Sequence, residues 1–242
     1  MDPQCELENL LLPGRSVRMI SEGIYSAISD NAAGVHHYDR IASVYDHVVG
    51  TKAYNKVMWG CSPDEYINFA VRAVDSANGT LLDAGCGSLL FTAEAYVETG
   101  RTIIAFDQSL AMLERARDRL IRIRGSLPDH VHLVQADLSD IPFRPASFET
   151  ALCMNLLHQY EDAVGLISDL NKLLLGNGRF FITSLVFNHR TIGDWYLKVL
   201  HSAGEFIRPR SADDVKELSE AVLGKQVTVL VKGNMAFIRA GN

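Results

Sequence analysis

Five short apolar runs recur in the second two-thirds of the chain, each bounded by polar or turn residues. Their hydrophobicity is continuous rather than alternating, which favours strands of a parallel sheet that is buried on both faces. The five runs span residues 80–84, 102–106, 131–136, 150–157 and 179–186. They predict the strands of an α/β domain.

Amphipathic stretches separate these runs and predict helices. Apolar residues recur in them at spacings of three and four, as on the buried face of a helix. They are Leu110, Leu113, Ala116 and Leu120 in one stretch, and Val164, Ile167, Leu170 and Leu174 in another. The glycines of Gly176-Asn177-Gly178 are expected to end the second helix. Strand–helix alternation of this kind predicts right-handed crossovers and a doubly wound sheet.

The end of the chain has a different pattern. Residues 226–232 and 235–239 are strand-like and are separated only by Gly233-Asn234, which predicts a hairpin. We therefore expect a Rossmann-like, mostly parallel, seven-stranded sheet that closes with an antiparallel C-terminal strand. Residues 1–60 are helix-prone and broken by glycines, and they predict a helical N-terminal lid over the main domain of residues 61–242. Residues 187–210 lie between the last parallel strand and the hairpin, where an insertion can cover the site.

Composition and charge narrow the function classes. The 242 residues carry a formal net charge of −6, which disfavours nucleic-acid binding because that binding neutralises phosphates. The stretch Arg115-Ala116-Arg117-Asp118-Arg119 reads as a solvated helix face. Four cysteines fit neither a zinc site nor a disulfide framework. No signal peptide or membrane-spanning run is evident, so a cytoplasmic protein without a metal is expected.

The strongest chemical motif is Leu81-Leu82-Asp83-Ala84-Gly85-Cys86-Gly87-Ser88. A strand runs into a turn whose two glycines allow a sharp bend and close approach of a ligand. In an open α/β sheet, such a turn borders the ligand crevice at the carboxyl ends of the strands. Leu90 stands where a dinucleotide fingerprint requires a third glycine. Asp83 suits a cationic or hydroxyl-bearing ligand better than a phosphate.

Polar residues also end the next strands. Asp107 ends the second run, 20 residues after Gly87, where an acid can accept hydrogen bonds from both ribose hydroxyls. Alternatively, Asp107 only caps the helix that follows. Asp137 ends the third run and can accept a hydrogen bond from an adenine amino group, while the next backbone N–H meets a ring nitrogen. The fourth run ends in Asn155 and His158.

Together these motifs resemble the class I S-adenosylmethionine-dependent methyltransferases, especially the small-molecule type that includes the ubiquinone and menaquinone C-methyltransferases. The resemblance covers about residues 36–240. It implies S-adenosyl-L-methionine as cofactor and S-adenosyl-L-homocysteine as product. The cofactor-binding residues that it implies are Asp83, Gly85, Cys86, Gly87, Asp107, Gln108, Ala136, Asp137, Leu138, Cys153 and Met154.

The N-terminal segment Tyr38-Asp39-Arg40-Ile41-Ala42-Ser43-Val44-Tyr45-Asp46 resembles the segment that caps the cofactor in the same relatives. Tyr38 and Tyr45 are implied cofactor contacts, and Tyr45, near the methionine end of the cofactor or its methyl group, is also a candidate catalytic residue. An ordinary amphipathic helix is the alternative. Ser88 and Glu149 depart from the commonest motifs without affecting the cofactor assignment. Signatures of the quinone-methylating enzymes are not evident, so the resemblance does not extend to the substrate.

His158 is the predicted general base, because histidine titrates near neutrality and follows the fourth strand. His36 and His37 are weaker candidates. The alternative is that His158 packs in the crevice rim. The covering segment contains Trp195, Tyr196 and Phe206, together with His201. Its aromatic residues suggest an apolar or planar small-molecule acceptor, although they also fit simple packing of helix on sheet.

Three other functions remain open. A nicotinamide oxidoreductase shares the fold type, but Leu90 and Asp83 count against it. A non-catalytic, cofactor-binding regulatory protein would keep the same cofactor residues. A nucleic-acid methyltransferase would need a basic face and an Asn/Asp-Pro-Pro-Tyr motif, which Cys153-Met154-Asn155-Leu156 does not supply. A homodimer is compatible with the sequence.

Overall fold

The computed structural model describes residues 3–28, 46, 49–204, 207 and 210–241. Among these residues, nine strands form a single mixed sheet. The strands are β1 (Arg18–Ser21), β2 (Ile24–Ser26), β3 (Leu81–Ala84), β4 (Ile103–Asp107), β5 (Val131–Gln135), β6 (Phe148–Cys153), β7 (Leu174–Leu185), β8 (Val227–Lys232) and β9 (Met235–Ala240). Their order across the sheet is β1-β2-β5-β4-β3-β6-β7-β9-β8. Strands β2 to β7 pair in parallel, and this was predicted for β3 to β7.

Helices cover both faces of this sheet. They are α1 (Pro3–Leu10), α2 (Lys52–Tyr54) with a π-helical continuation (Asn55–Trp59), α3 (Pro63–Val74), α4 (Ala93–Glu98), α5 (Leu110–Arg124), α6 (Ala163–Leu173), α7 (Thr191–Ser202) and α8 (Ala212–Leu223). Successive residues of one strand belong to the hydrophobic cores on opposite faces of the sheet. Leu82 packs in the core that contains α6, whereas Leu81 packs in the core that contains α3 and α5. Burial on both faces explains the continuous apolar runs.

The N-terminal region differs from the predicted helical lid. Residues 18–26 form an antiparallel hairpin that extends the sheet, because β2 pairs in parallel with β5 through Ile24 and Leu133. The sheet therefore has nine strands in the described residues rather than seven, and it crosses the boundary expected at residue 60. Strands of three and four residues are too short to show a periodicity. Their pairing with a partner more than 100 residues away is decided by tertiary contacts.

The C-terminal hairpin agrees with the prediction, since β8 and β9 pair on either side of Gly233-Asn234. Helix α6 does not end at the glycines predicted to stop it. Helix α6 ends at Leu173, and Gly176 and Gly178 lie in the irregular start of β7. There the pairing with β6 skips from Leu174 to Arg179. The glycines thus form a bulge at the strand entry.

A buried arginine joins helix α3 to the sheet. Arg101 is only 5% exposed. Its guanidinium group donates hydrogen bonds to the carbonyl oxygens of Ala73 and Val74, at 3.1 and 2.8 Å, and to the hydroxyl of Thr150 at 2.7 Å. The last carbonyls of a helix lack intrahelical partners. Arg101 supplies those partners from the loop before β4.

Candidate active site

The carboxyl ends of β3, β4, β5 and β6 meet around a crevice of about 280 Å³. Its walls come from the loops that follow these four strands and from the first turn of α5. The lining residues are Asp83, Gly85, Cys86, Gly87, Ser88, Leu90, Phe91, Thr92, Asp107, Gln108, Met112, Ala136, Leu138, Met154, Asn155, Leu156, Gln159 and Tyr160. The predicted strand-tip motifs are therefore brought together at one site.

The turn after β3 requires its glycines. Gly85 and Gly87 have φ angles of +68° and +54°, which side chains rarely tolerate. The amides of Gly85 and Cys86 both donate to the Phe106 carbonyl, at 2.9 and 3.0 Å, which bends the chain toward β4. A Cβ atom on Gly85 would lie 2.8 Å from Leu156, whereas one on Gly87 would meet nothing within 4 Å. The backbone at Gly87 is thus open for close approach of a ligand.

Asp107 lies beside this turn. One carboxylate oxygen accepts the Gly87 amide at 2.9 Å, and the other accepts the Ser109 amide at 2.9 Å. The residue that caps helix α5 is Ser109, whose hydroxyl accepts the Met112 amide at 3.2 Å. Asp107 therefore joins two loops at the crevice wall. This position suits an acceptor of ligand hydroxyl groups.

Asp83 is buried beneath the crevice. It is 2% exposed and accepts a hydrogen bond of 2.8 Å from the Tyr96 hydroxyl. Burial raises the pKa of Asp83 to about 7; the Tyr96 hydrogen bond opposes this shift and the negative charge of Asp107 adds to it. Because the charge of a buried carboxylate is poorly solvated, a cationic ligand beside it would stabilise the ionised form.

The remaining predicted cofactor residues divide into two groups. Cys86, Gln108, Ala136, Leu138 and Met154 line the crevice. Asp137 and Cys153 do not line it. The Asp137 carboxylate accepts the amide of Ser139 at 2.8 Å within its own turn. Cys153 is buried in the sheet core, and burial raises the pKa of its thiol to about 12.

His158 does not have the surroundings expected of a base facing the acceptor. It is 4% exposed and does not line the crevice. Its Nδ1 accepts the Leu185 amide at 3.3 Å. Burial, and to a lesser extent the positive charge of Arg210, lowers the pKa of His158 to about 3. The residue that lines the crevice at this point is the next one, Gln159, and not His158.

Arg210 holds the loop that carries these residues. Its guanidinium group donates to the carbonyl oxygens of Leu157 and Tyr160, both at 3.3 Å, and of Glu161 at 3.2 Å. Gln159 and Tyr160 were not predicted as site residues. Their only sequence signal is their position just after the fourth strand, and the clamp by a distant arginine cannot be read from the sequence.

The covering segment is partly helical. Trp195 is 61% exposed, and Tyr196 packs against Trp59 with ring centroids 5.2 Å apart. Neither residue, nor His201, lines the crevice. Phe206 and the predicted N-terminal residues His36, His37, Tyr38 and Tyr45 lie outside the described residues.

Two broader features of the described residues bear on function. They contain no group of three or more His, Cys, Asp or Glu side chains that could hold a metal ion. None of the helices described is both long enough and apolar enough to cross a membrane.

Comparison with known proteins gives a consistent result. A family model described as "Methyltransferase domain" matches residues 82–182. The chain is 28% identical over 150 residues to the malonyl-[acyl-carrier protein] O-methyltransferase of Legionella pneumophila, covering 61% of this chain and 45% of that protein. It is 23% identical over 156 residues to the ubiquinone biosynthesis O-methyltransferase of Xylella fastidiosa, covering 59% of this chain and 61% of that protein. The chain thus spans about half of the length of the first of these relatives and about three-fifths of the second.

A solved structure shows the same fold. It is the Haemonchus contortus phospholethanolamine N-methyltransferase 2 in complex with phosphomonomethylethanolamine and S-adenosylhomocysteine. Its TM-score is 0.61 at 19% identity, covering 79% of this chain and 43% of that chain. The motifs gathered at the strand tips and the match of residues 82–182 identify this region of the chain as a class I S-adenosylmethionine-dependent methyltransferase domain.

Proposed function

We propose that this protein transfers a methyl group from S-adenosyl-L-methionine to a small-molecule acceptor. One observation carries the proposal. The turn after β3, with its two glycines of positive φ, and the carboxylates of Asp83 and Asp107 border a single crevice. The family's cofactor offers ribose hydroxyls and positive charge, which this set of acceptors suits.

The residues present fit that cofactor better than a dinucleotide. Gly87 leaves its backbone open, and Asp107 is placed to accept from hydroxyl groups beside it. Leu90 lines the crevice where a dinucleotide turn requires glycine, and a buried Asp83 would repel a pyrophosphate.

Each wall of the crevice has a proposed role. Asp107 and Gln108 would hold the ribose, and Ala136 and Leu138 would enclose the adenine. Asp83 would lie toward the cationic end of the cofactor. Asp137 remains a proposed adenine contact through its turn, and Tyr38 and Tyr45 remain predicted contacts at the methyl-bearing end.

The acceptor would occupy the side of the crevice after β6. Met154, Leu156 and the Tyr160 ring supply apolar contacts, and the Asn155 and Gln159 amides can orient a polar group. When bound, the cofactor supplies an already electrophilic methyl group. The residues of this chain then need to hold the acceptor in line with it, about 3–3.5 Å away, and to exclude water. This lining favours an apolar or planar acceptor.

We also propose that residues 46–60 and 187–210 form the cover of this side. Support comes from Gly50, where a Cβ atom would lie 3.4 Å from the crevice residue Leu90. Further support comes from Tyr196 of the second segment, which packs against Tyr54 and Trp59 of the first.

The test is a pair of measurements. Calorimetric titrations with S-adenosyl-L-methionine, S-adenosyl-L-homocysteine and NADH should show binding of the first two only. Incubation with methyl-labelled cofactor and a panel of planar phenols, carboxylates and amines should then show labelled product. Exclusive binding of NADH would overturn the proposal in favour of an oxidoreductase. Cofactor binding without transfer to any acceptor class would favour the regulatory alternative.

A further inference from the structure

We propose that Asp46 and Arg119 are positioning residues for the cofactor. They hold Ser88, and through it the turn formed by residues 85–89, in the conformation that receives S-adenosyl-L-methionine. This inference rests on the proposed cofactor site, and it adds two residues that do not line the crevice themselves.

The contacts close around Ser88. Its hydroxyl donates to one Asp46 carboxylate oxygen at 2.6 Å, and Arg119 donates to the other at 2.6 Å. A second nitrogen of Arg119, Nε, donates to the Ser88 carbonyl at 2.9 Å. The hydroxyl and the carbonyl of Ser88 are therefore held by the same ion pair.

This ion pair is more protected than a surface salt bridge. The side chains of Asp46 and Arg119 are 12% and 21% exposed, and Ser88 is 2% exposed. Arg115, one helical turn before Arg119 on α5, adds a second positive charge 3.9 Å from the Asp46 carboxylate. Charge-assisted hydrogen bonds in such surroundings are stronger than exposed ones.

The turn needs such support because its backbone is strained. Leu89 has a φ of +53°, a value that residues other than glycine rarely adopt. Together with Gly85 and Gly87, it makes three positive φ angles in five residues. Strained residues persist where their surroundings over-determine them, and they cluster at functional sites. Asp107 holds this turn at Gly87, and the Asp46–Arg119 pair holds it at Ser88.

The basic stretch of α5 gains a specific role from this arrangement. Arg115 and Arg119 face Asp46, whereas Arg117 donates to Ser21 at 3.0 Å and pairs with Asp118 at 2.9 Å. The expectation of a merely solvated helix face is therefore wrong for Arg119.

The experiment compares two variants with a matched control. Asp46→Asn removes the charge of the pair, and Arg119→Lys keeps the charge but loses the forked donation to Ser88. Asp169→Asn is the control, because it removes an exposed pair of similar length, 2.7 Å to Lys172, away from the crevice. The dissociation constant for S-adenosyl-L-homocysteine is measured by calorimetry, and amide hydrogen exchange is measured over residues 85–92 in the ligand-free protein.

We expect Asp46→Asn to weaken binding by about tenfold and Arg119→Lys to weaken it by an intermediate factor. Exchange of the Leu89 amide, which donates to the Cys86 carbonyl at 3.2 Å, should quicken in Asp46→Asn and not in the control. Binding within about twofold of the parent, together with unchanged exchange, would overturn the proposal.

The two readouts separate this proposal from the cofactor assignment. If the parent protein does not bind S-adenosyl-L-homocysteine, the cofactor assignment fails, and the exchange measurement still decides whether the ion pair holds the turn. If exchange quickens equally throughout the protein, the pair supports the whole fold, and the specific positioning role is lost.

Discussion

The Asp107 carboxylate accepts a hydrogen bond of 2.9 Å from the Gly87 amide, which joins the tips of β3 and β4 at the crevice wall. We expect Asp107→Ala to weaken cofactor affinity by at least about tenfold, because ribose hydroxyls would lose their acceptor. Calorimetry with S-adenosyl-L-homocysteine measures the effect. Asp140→Ala is the control, because it removes an exposed carboxylate that pairs with Arg15. Equal affinities of the two variants would contradict the ribose assignment.

Cofactor binding should depend on pH through Asp83. The pKa of Asp83 is raised to about 7 by burial, so its carboxyl group is largely protonated below that pH. A cationic ligand favours the ionised form, and affinity for S-adenosyl-L-methionine should therefore rise as pH increases through about 7. Titrations between about pH 5.5 and 8.5 test this expectation. Asp83→Asn should flatten the profile, and an unchanged slope in that variant would assign the dependence elsewhere.

His158 should lower stability in acid. Its folded pKa of about 3 lies below the ordinary value of 6.5, so the unfolded chain binds more protons between these values. Its contribution to the unfolding free energy should fall by up to about 1.4 kcal/mol per pH unit as pH decreases through this window. Asp83, whose folded pKa is raised, contributes with the opposite sign between about 4 and 7.

The variant His158→Asn separates a structural role from a catalytic one. Asparagine keeps an acceptor for the Leu185 amide and cannot be protonated. In urea unfolding, the free energy of unfolding of the variant relative to the parent should therefore increase as pH falls from about 7 to about 5. Methyl transfer should persist, because His158 does not line the crevice. Loss of turnover with intact cofactor binding would restore His158 as the general base.

Arg101→Met should destabilise the fold without changing the site. The substitution removes the Arg101 donor from the carbonyl oxygens of Val74 and Gly79, whereas the Ala73 carbonyl and the Thr150 hydroxyl keep hydrogen bonds with Ser76. Uncompensated buried polar groups cost about 1–3 kcal/mol each, so a loss of about 3 kcal/mol in urea unfolding is expected. Cofactor affinity of the folded variant should stay near that of the parent. The exposed Arg122→Met is the control, and an equal loss there would remove the special role of Arg101.

Most of the sheet was predictable because parallel strands buried on both faces need continuous apolar residues. The runs that became β3 to β7 and the Gly233-Asn234 hairpin carry that local signal. The hairpin at residues 18–26 carries no such signal, since Ile24 becomes strand only by pairing with Leu133.

The cofactor side of the site was likewise local in the sequence. Glycines at positive φ and acids at strand tips have to occur at set places after each strand, so Gly85, Gly87 and Asp107 could be selected from the pattern alone. The acceptor side was less predictable. His158 turns into the core and Gln159 into the crevice, and this choice depends on how Arg210 holds the loop from a position some 50 residues away.

The sequence by itself determined the order of strands and helices, the strand-tip motifs and the cofactor class, because each depends on residue type and spacing within one short segment. Only the tertiary structure decided the N-terminal extension of the sheet, the burial of His158 and the ion pair between Asp46 and Arg119. These features join segments 27 to 109 residues apart, and such contacts leave no periodicity along the chain.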